Sequence, residues 1–297
     1  MKKVLAILLA ALLVVGGIFT LTSCGEKTVT DDEGVTETEA AGEYLIAIPN
    51  DTTNEARALL LLEANGFIKL AEGAGITATI NDIVEKPANV TFKEVEAAQI
   101  PNILVDVDFA VINSNYAISA GLNPVQDSLI IEGSASAYAN ILCVKEGNEN
   151  EPAILALKAA LASQAVVDFI NEKYEGSVVS TIEAPTDGYD ADIDYTALDG
   201  ATISVAASPT PHAEILEIAK EILAEKNITL DIQVFTDYVQ PNNVVESGDV
   251  DANYFQHLPY LEDFNAENGT HLVSVLAPHV KPLGLYGGKQ TSLDVIK

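Results

Sequence analysis

The sequence predicts an α/β protein made of two lobes. From Tyr44 onward, short apolar runs of strand length alternate with amphipathic helices, which is typical of sheets covered by helices on both faces. An acidic stretch at residues 182–200, punctuated by Gly and Pro and without periodicity, divides the pattern into two blocks. The chain has 297 residues, 48% of them apolar, and is therefore long enough for two such units.

The first 24 residues are expected to be an export signal rather than part of the fold. Lys2 and Lys3 precede an apolar segment, residues 4–19, that is too short for a comfortable membrane span. The sequence LTSCG that follows resembles a bacterial lipobox, with Cys24 as the lipidated residue. An ordinary secretory signal with a chance cysteine is the alternative. Residues 25–42 are rich in Thr, Glu, Asp and Gly and predict a disordered acidic tether.

Composition and missing motifs favour binding over catalysis. A net charge of −29 disfavours nucleic acid, whose binding rests on basic side chains, and is explained by solubility. The four histidines lack metal-ligand spacing, so we expect no metal. The sequence contains no nucleophile elbow, P-loop or dinucleotide fingerprint, so we expect neither an enzyme nor a cofactor. Cys143 lies in an apolar run and is assigned no chemistry.

The first block begins with a strand at residues 44–48 that leads directly into a helix. Thr52 and Glu55 have capping-box spacing, and Asn65-Gly66 is a helix stop signal. The remaining predicted elements of this block are strands at 90–95, 109–112 and 138–144 and helices at 97–104, 151–161 and 165–174.

The second block begins with a strand at residues 202–206. A helix with apolar residues at the helical period then starts at Thr210-Pro211. The block continues with strands at 229–235, 251–255, 271–276 and 281–286 and helices at 238–246 and 257–265. In open, largely parallel sheets, ligands bind beyond the carboxyl ends of the strands. We therefore expect the ligand site in a cleft between the two lobes.

Arg57 is the only arginine in the chain. It lies in the second turn of a helix that begins at the carboxyl end of a strand, where free N–H groups favour an anion. A guanidinium binds a carboxylate through two parallel hydrogen bonds, so a carboxylate site at this corner, flanked by Asn54, is one interpretation. A surface salt bridge to Glu55 or Glu63 is the other.

Asparagines and aromatic residues supply the other candidate ligand contacts. Asn113 follows a predicted strand and Asn140 lies within one, so their amides could position a polar ligand group, although turn formation explains such asparagines equally well. A second set combines aromatic side chains with a histidine and could line an apolar pocket or belong to an ordinary core. It consists of Tyr238, Phe255, His257 and Tyr260.

Several blocks together resemble the methionine-binding lipoproteins of ABC importers, the NlpA/MetQ type. With the lipobox, the resemblance covers nearly all of the chain outside residues 25–42 and 182–200. It implies a two-lobed, type II periplasmic-binding-protein-like fold with a ligand cleft between the lobes. The matching blocks are AIPNDTTNEARALLLLE at 47–63, FKEVEAAQIP at 92–101, AVINSNYA at 110–117, SPTPHAEIL at 208–216, FTDYVQPN at 235–242, DANYFQHLPYL at 251–261 and PHVKPLGLY at 278–286.

The resemblance also implies roles for the candidate residues. Arg57 would bind the carboxylate of the ligand, with Asn54 beside it. Asn113 and Asn140 would hold the polar head of the amino acid, and the four residues of the aromatic set would line the side-chain pocket.

The implied protein is a monomeric receptor, lipid-anchored on the extracytoplasmic side of the bacterial cell membrane, that delivers L-methionine or a similar small amino acid to a membrane permease. The alternatives are a receptor for another apolar amino acid or a methionine-containing dipeptide, and a surface adhesin with a vestigial pocket.

The order of the blocks differs from that of the family. The block with SPTPHAEIL and FQHLPYL usually comes first, whereas here it follows the block with NEARALLLLE. The chain therefore resembles a circular permutant in which residues 182–200 join the usual termini, which is tolerable because domain termini are often close together. We expect one lobe from 43–135 plus 290–297 and the other from 136–181 plus 201–289. We also expect the strand at 44–48 to be paired and the two blocks to share one cleft.

Overall fold

A computed structural model describes residues 43–133 and 138–296. The predicted signal peptide, the lipidation site at Cys24 and the acidic tether lie outside the described residues. The strands are β1 (Tyr44–Pro49), β2 (Lys69–Leu70), β3 (Ile83–Glu85), β4 (Val90–Val95), β5 (Phe109–Ile112), β6 (Ser128–Ile131), β7 (Ala139–Lys145), β8 (Val179–Ser180), β9 (Thr202–Ala207), β10 (Thr229–Val234), β11 (Ala252–His257), β12 (Leu272–Val280) and β13 (Gly284–Gly287).

The helices alternate with these strands. The helix predicted at 97–104 is a 3-10 helix at Ala97–Asp106, and Pro101 within it removes a backbone donor. The α-helices are α1 (Thr52–Ala64), α2 (Ser114–Ser119), α3 (Pro124–Asp127), α4 (Pro152–Leu161), α5 (Gln164–Tyr174), α6 (Glu214–Ala224), α7 (Gln240–Ser247) and α8 (Leu258–Asn268).

The strands form two main sheets, which confirms the α/β class and the two lobes. The first sheet has the order β4-β1-β5-β13-β6 and the second the order β10-β9-β11-β7-β12-β8. In each sheet three neighbouring strands are parallel and the others are antiparallel. The sheets are therefore more mixed than the sequence pattern predicts.

Each sheet is buried on both faces. Successive side chains of a strand point to opposite sides of the sheet, and both sides pack in hydrophobic clusters. In β1, Ile46 and Ile48 belong to one hydrophobic cluster and Ala47 to another. In β7, Leu142 and Val144 pack on one side, whereas Ile141 and Cys143 pack on the other. The near-continuous apolar runs of these strands follow from this double burial.

The strand at the start of the first block is paired, as expected. β1 lies between β4 and β5 and is parallel to both. The lobe boundary near the end of the chain differs from the predicted one at 289/290, because β13 pairs with β5 and β6 of the first sheet. The chain therefore returns to the first lobe between β12 and β13, through Lys281, Pro282 and Leu283.

Helix α1 is capped differently from the prediction. Asp51 is the N-cap residue, and its Oδ1 accepts a hydrogen bond from the backbone N–H of Asn54 at 3.0 Å. Glu55, predicted to close a capping box with Thr52, instead accepts from the backbone N–H of Ile80 at 2.8 Å. A long-range contact thus takes the place of the local one.

The predicted linker forms no helix or strand but packs against the second lobe. Its Ile193, Tyr195 and Leu198 contact the hydrophobic cluster around β9 and α6, and the hydroxyl of Tyr189 donates to the carbonyl of Ile222 at 3.0 Å. Within residues 43–133 and 138–296, no helix has the length and apolar character needed to cross a bilayer.

Candidate functional site

A small pocket lies where residues of the two lobes face each other. Both sequence blocks contribute to it, as the permutation hypothesis requires. One end is polar and the other aromatic. The lining residues are Asn54, Asn113 and Lys281, which lie beside the first sheet, and Tyr238, Phe255, Gln256, His257 and Tyr260 from the second lobe.

The topology of the first sheet explains why its polar residues converge. β1 and β5 are parallel, so their carboxyl ends lie at the same edge of the sheet. The start of α1 follows β1 at this edge, and Asn113 follows β5 there. The antiparallel β13 starts opposite the end of β5, with Gly284 beside Ile112, and β6 ends beside Gly284. Lys281, just before β13, and Glu132, just after β6, therefore reach the same edge.

The amides at this edge form a directed chain of hydrogen bonds. Asn54 Nδ2 donates to Asp51 Oδ1 at 2.8 Å, which leaves Asn54 Oδ1 to accept from Asn113 Nδ2, also at 2.8 Å. Asn113 Oδ1 is buried and has no hydrogen-bond partner among the described residues. An orphaned acceptor in a pocket wall is a place for a ligand N–H donor, because an unsatisfied buried acceptor costs about 1–3 kcal/mol.

The opposite wall is a cluster of packed aromatic rings. The Tyr238 ring lies 5.8 Å from that of Phe255 and 6.0 Å from that of Tyr260, between centroids. Tyr260 Oη donates to the carbonyl of Tyr238 at 2.9 Å, and Tyr238 Oη donates to Asn115 Oδ1 at 2.7 Å. Because these hydroxyls are satisfied, the wall presents ring edges and faces to the pocket.

His257 connects the two lobes as a neutral imidazole. Its Nδ1 accepts from the backbone N–H of Tyr260 at 3.2 Å, so the proton is on Nε2, which faces Asn54 Oδ1 at 3.4 Å. Burial, and then the positive charges of Arg57 and Lys281, hold the pKa of His257 well below its usual value.

Arg57 lies behind the pocket wall and is already paired. Nε donates to Glu132 Oε1 at 3.1 Å, Nη2 donates to Glu132 Oε2, and Nη2 also donates to the carbonyl of Lys281 at 3.2 Å. The guanidinium lies 4.3 Å from the centroid of the Tyr138 ring, a cation–π distance. The predicted surface partners, Glu55 and Glu63, are not its partners, and Arg57 is buried.

Asn140 also lies outside the pocket lining. It is fully buried in β7, where Oδ1 faces His212 Nε2 at 2.8 Å and Nδ2 faces the carbonyl of Tyr138 at 3.4 Å. The structure thus brings together six of the eight residues predicted to bind the ligand, with Arg57 and Asn140 in the layer behind them. Their roles in binding stay predictions.

Sequence reasoning missed two lining residues, Lys281 and Gln256, and the partner of Arg57. Lys281 is the first residue of the predicted strand at 281–286, and a lysine in this apolar run was the available signal. Gln256 is tied to Asn242, with Asn242 Nδ2 donating to Gln256 Oε1 at 3.0 Å. Glu132 had no local signal, because its position depends on the pairing of β6 with β13.

Comparison with known proteins gives a family match over most of the chain. The model of the NlpA lipoprotein family matches residues 38–182 and 203–297. The gap between the two matches falls on the linker described above.

Individual relatives match over a shorter length. The membrane lipoprotein TpN32 of Treponema pallidum is 49% identical over 136 residues, which cover 46% of this chain and 51% of the relative. The probable D-methionine-binding lipoprotein MetQ of Vibrio cholerae is 41% identical over 134 residues, 45% of this chain and 50% of the relative. The D-methionine-binding lipoprotein MetQ of Escherichia coli K12 is 38% identical over 136 residues, again 45% and 50%. The chain thus spans about half the length of the curated relatives it matches.

Proposed function

The chain belongs to the NlpA lipoprotein family, and from this premise we propose that it is the substrate-binding component of an ABC importer. Its ligand is methionine, held in the pocket between the two lobes and delivered to a membrane permease. Two of the relatives are named as D-methionine-binding lipoproteins, which supports this class of ligand.

The observation that carries the proposal is the unsatisfied Oδ1 of Asn113 beside an aromatic wall. This acceptor suits the α-ammonium group of a free amino acid. The rings of Tyr238, Phe255 and Tyr260 suit an apolar side chain, and a thioether gains about 0.3–1.5 kcal/mol from contact with aromatic rings. Polar head and apolar tail thus have separate places in one pocket.

The polar groups of the pocket favour a single amino acid over a dipeptide. Among the described residues that line the pocket, Asn113 Oδ1 is the one buried polar side-chain atom without a partner. A dipeptide would also bury the N–H and C=O of its peptide bond, and unsatisfied buried groups cost about 1–3 kcal/mol each. An adhesin has no need for an orphaned acceptor beside buried aromatic rings.

In this proposal Arg57 contacts the carboxylate of the ligand from behind the lining residues, whereas Asn140 acts indirectly. Two of the N–H edges of Arg57 are used by Glu132 and Lys281. No hydrogen bond of Nη1 joins it to a group within the described ranges, and this edge is the one we assign to the carboxylate of the ligand. Asn140 orients Tyr138, whose ring lies over the guanidinium.

We further propose that the chain is a circular permutant of the family order. Pairwise matches of 134–136 residues, about half of each relative, support this, because a collinear alignment can hold only one of two exchanged blocks. Ile296 and Tyr44 share one hydrophobic cluster, so a short connection could join the end of the chain to β1, as the family order requires.

In the cell, the protein works as a monomer, anchored through a lipid on Cys24 at the extracytoplasmic face of the membrane. Ligand capture needs affinity and lobe closure, but no catalytic group. Turnover of a bound amino acid would contradict this part of the proposal.

The test is a calorimetric titration of the chain starting after Cys24 against a panel of ligands. We expect saturable binding of one methionine per chain, weaker binding of leucine, and no binding of glycyl-methionine. A panel in which no amino acid gives heat would contradict the proposal and favour a surface interaction protein.

A further inference from the structure

Lys281 is a buried cation in the pocket wall, and the proposed function does not yet use it. It is 3% exposed and lies in the crossover from β12 to β13 at the edge where Asn54 and Asn113 converge. Its Nζ donates to Asn115 Oδ1 at 3.1 Å, which is a neutral acceptor. No carboxylate of the described residues lies within ion-pair distance of it.

Such an ammonium group is poorly compensated. A buried charge is costly unless an opposite charge and several hydrogen bonds accompany it. Asn115 satisfies one N–H of three and is shared with the hydroxyl of Tyr238. The site therefore lacks an anion on the side of Lys281 that faces the pocket.

The charged and titratable neighbours of Lys281 come from five segments of the fold. Arg57 on α1 carries a like charge, and Glu132 after β6 carries the opposite charge but is bonded to Arg57. The buried imidazoles of His257 on β11, His279 on β12 and His212 before α6 also interact with it. Burial, and then Arg57, lower the pKa of Lys281 to about 7, against the opposing effect of Glu132.

We propose that Lys281 is a second anchor for the α-carboxylate of the ligand, and that tight binding requires its ammonium to be protonated. This inference rests on the proposed function. The carboxylate then lies between Nζ of Lys281 and Nη1 of Arg57, and the α-ammonium group faces Asn113 Oδ1. The pocket thus binds both charged groups of a zwitterionic amino acid. The binding free energy is then linked to the uptake of a proton by Lys281.

The sign of the pH dependence follows from this linkage. A bound carboxylate favours the charged form of Lys281 and raises its pKa, so the complex holds a proton that the empty pocket loses above about pH 7. Affinity should therefore be full below pH 7 and should fall as the pH rises. The three imidazoles, with pKa values well below the usual 6.5, titrate outside this window.

The experiment is calorimetry of the purified full-length chain in detergent with L-methionine and L-methioninamide, which lacks the carboxylate. We expect wild-type affinity for L-methionine to fall roughly tenfold between about pH 7 and pH 8.5. Lys281→Met should bind L-methionine roughly tenfold to a hundredfold more weakly at pH 6.5, lose the excess pH dependence, and prefer L-methionine to the amide less strongly than wild type does, because Arg57 still faces the carboxylate.

The controls separate this inference from the proposed function. Lys289→Met removes an exposed lysine of the same lobe and should behave as wild type, and a thermal melt of Lys281→Met checks that it is folded. The amine of the ligand titrates equally with every variant, so the difference between variants isolates Lys281. If Lys281→Met binds L-methionine as wild type does, with the same pH profile, the inference fails and the proposed function stands. If wild type binds no amino acid, both fail.

Discussion

The guanidinium of Arg57 is bonded to the carboxylate of Glu132, 75 positions further along the chain, with Nε donating to Oε1 at 3.1 Å and Nη2 donating to Oε2. The pairing joins α1 to the end of β6 at the sheet edge that forms the polar end of the pocket. A lysine cannot make two parallel hydrogen bonds of this kind. The single arginine of the chain is therefore both a structural tie and the neighbour of the proposed carboxylate site.

Replacing Arg57 by lysine should weaken methionine binding. The loss of the planar guanidinium should cost on the order of 1.5–3 kcal/mol of binding free energy, the range for hydrogen bonds to charged groups. Calorimetry with L-methionine measures it. Glu132→Gln is the matched variant, because it removes the charge of the partner but keeps the guanidinium and should lower mainly the melting temperature. Unchanged affinity in a folded Arg57→Lys protein would show that the guanidinium does not contribute to binding of the ligand.

Asn113→Ala should lower affinity by about 1–3 kcal/mol, because it removes the acceptor proposed for the α-ammonium group. The matched control is Asn123→Ala. Asn123 caps α3 by accepting from the N–H groups of Val125 and Gln126, and its loss should cost about 1 kcal/mol of stability but no affinity. Equal affinities of wild type and Asn113→Ala would count against the assigned ligand orientation.

Phe255→Leu should change selectivity more than stability. Removing the ring takes away the contact with sulfur, so the binding free energy of methionine should weaken by about 0.3–1.5 kcal/mol relative to that of leucine. Competition between the two amino acids measures the ratio directly. Phe67→Leu, a buried change in the hydrophobic cluster that contains Ile46 and Ile48, should leave the ratio unchanged. A ratio that shifts equally in both variants would indicate a general packing effect.

Acid should destabilise the fold through three buried imidazoles. Burial holds the pKa values of His212, His257 and His279 well below 6.5, so the unfolded chain binds protons near pH 6.5 that the folded chain does not. The contribution of the histidines to stability is therefore full above about pH 6.5 and falls below it, by up to about 1.4 kcal/mol per pH unit for each histidine. Urea unfolding from pH 7.5 to 5 measures the slope.

Restoring the family order should preserve binding. A chain that runs from 201 to 297 and then from 43 to 182 cuts the linker and joins the clustered residues Ile296 and Tyr44 through a short connection. We expect the same methionine affinity and a single cooperative unfolding transition. A rearranged chain that folds but loses the ligand would show that the two blocks are not related by permutation.

Local patterns predicted the elements well, whereas contacts between distant residues escaped them. The strand at 44–48 and the helix after it follow from the apolar run and from the helix start and stop signals at Thr52, Glu55 and Asn65-Gly66. The predicted capping box of Thr52 and Glu55 does not form, because the Glu55 carboxylate accepts from the backbone N–H of Ile80, which is distant in sequence. Asp51 caps the helix instead. β13 was assigned to the wrong lobe because the sheet to which a strand belongs is decided by pairing, which its apolar pattern does not encode.

In the candidate site, too, local patterns identified some residues, whereas residues placed by long-range strand pairing were missed. Asn54, Asn113 and the aromatic set were found from strand ends and spacing, because α/β topology brings strand ends together. Lys281 and Glu132 were missed because the antiparallel pairing of β13 with β5 and β6 places them there, and a mostly parallel sheet was expected.

A crystal structure of the chain grown with L-methionine tests the central claim most directly. The account predicts one ligand between the two sheets, with its ammonium group within hydrogen-bonding distance of Asn113 Oδ1 and its thioether against the rings of Tyr238, Phe255 and Tyr260. A methionine bound elsewhere, or an empty pocket at saturating ligand in solution and in the crystal, would contradict it.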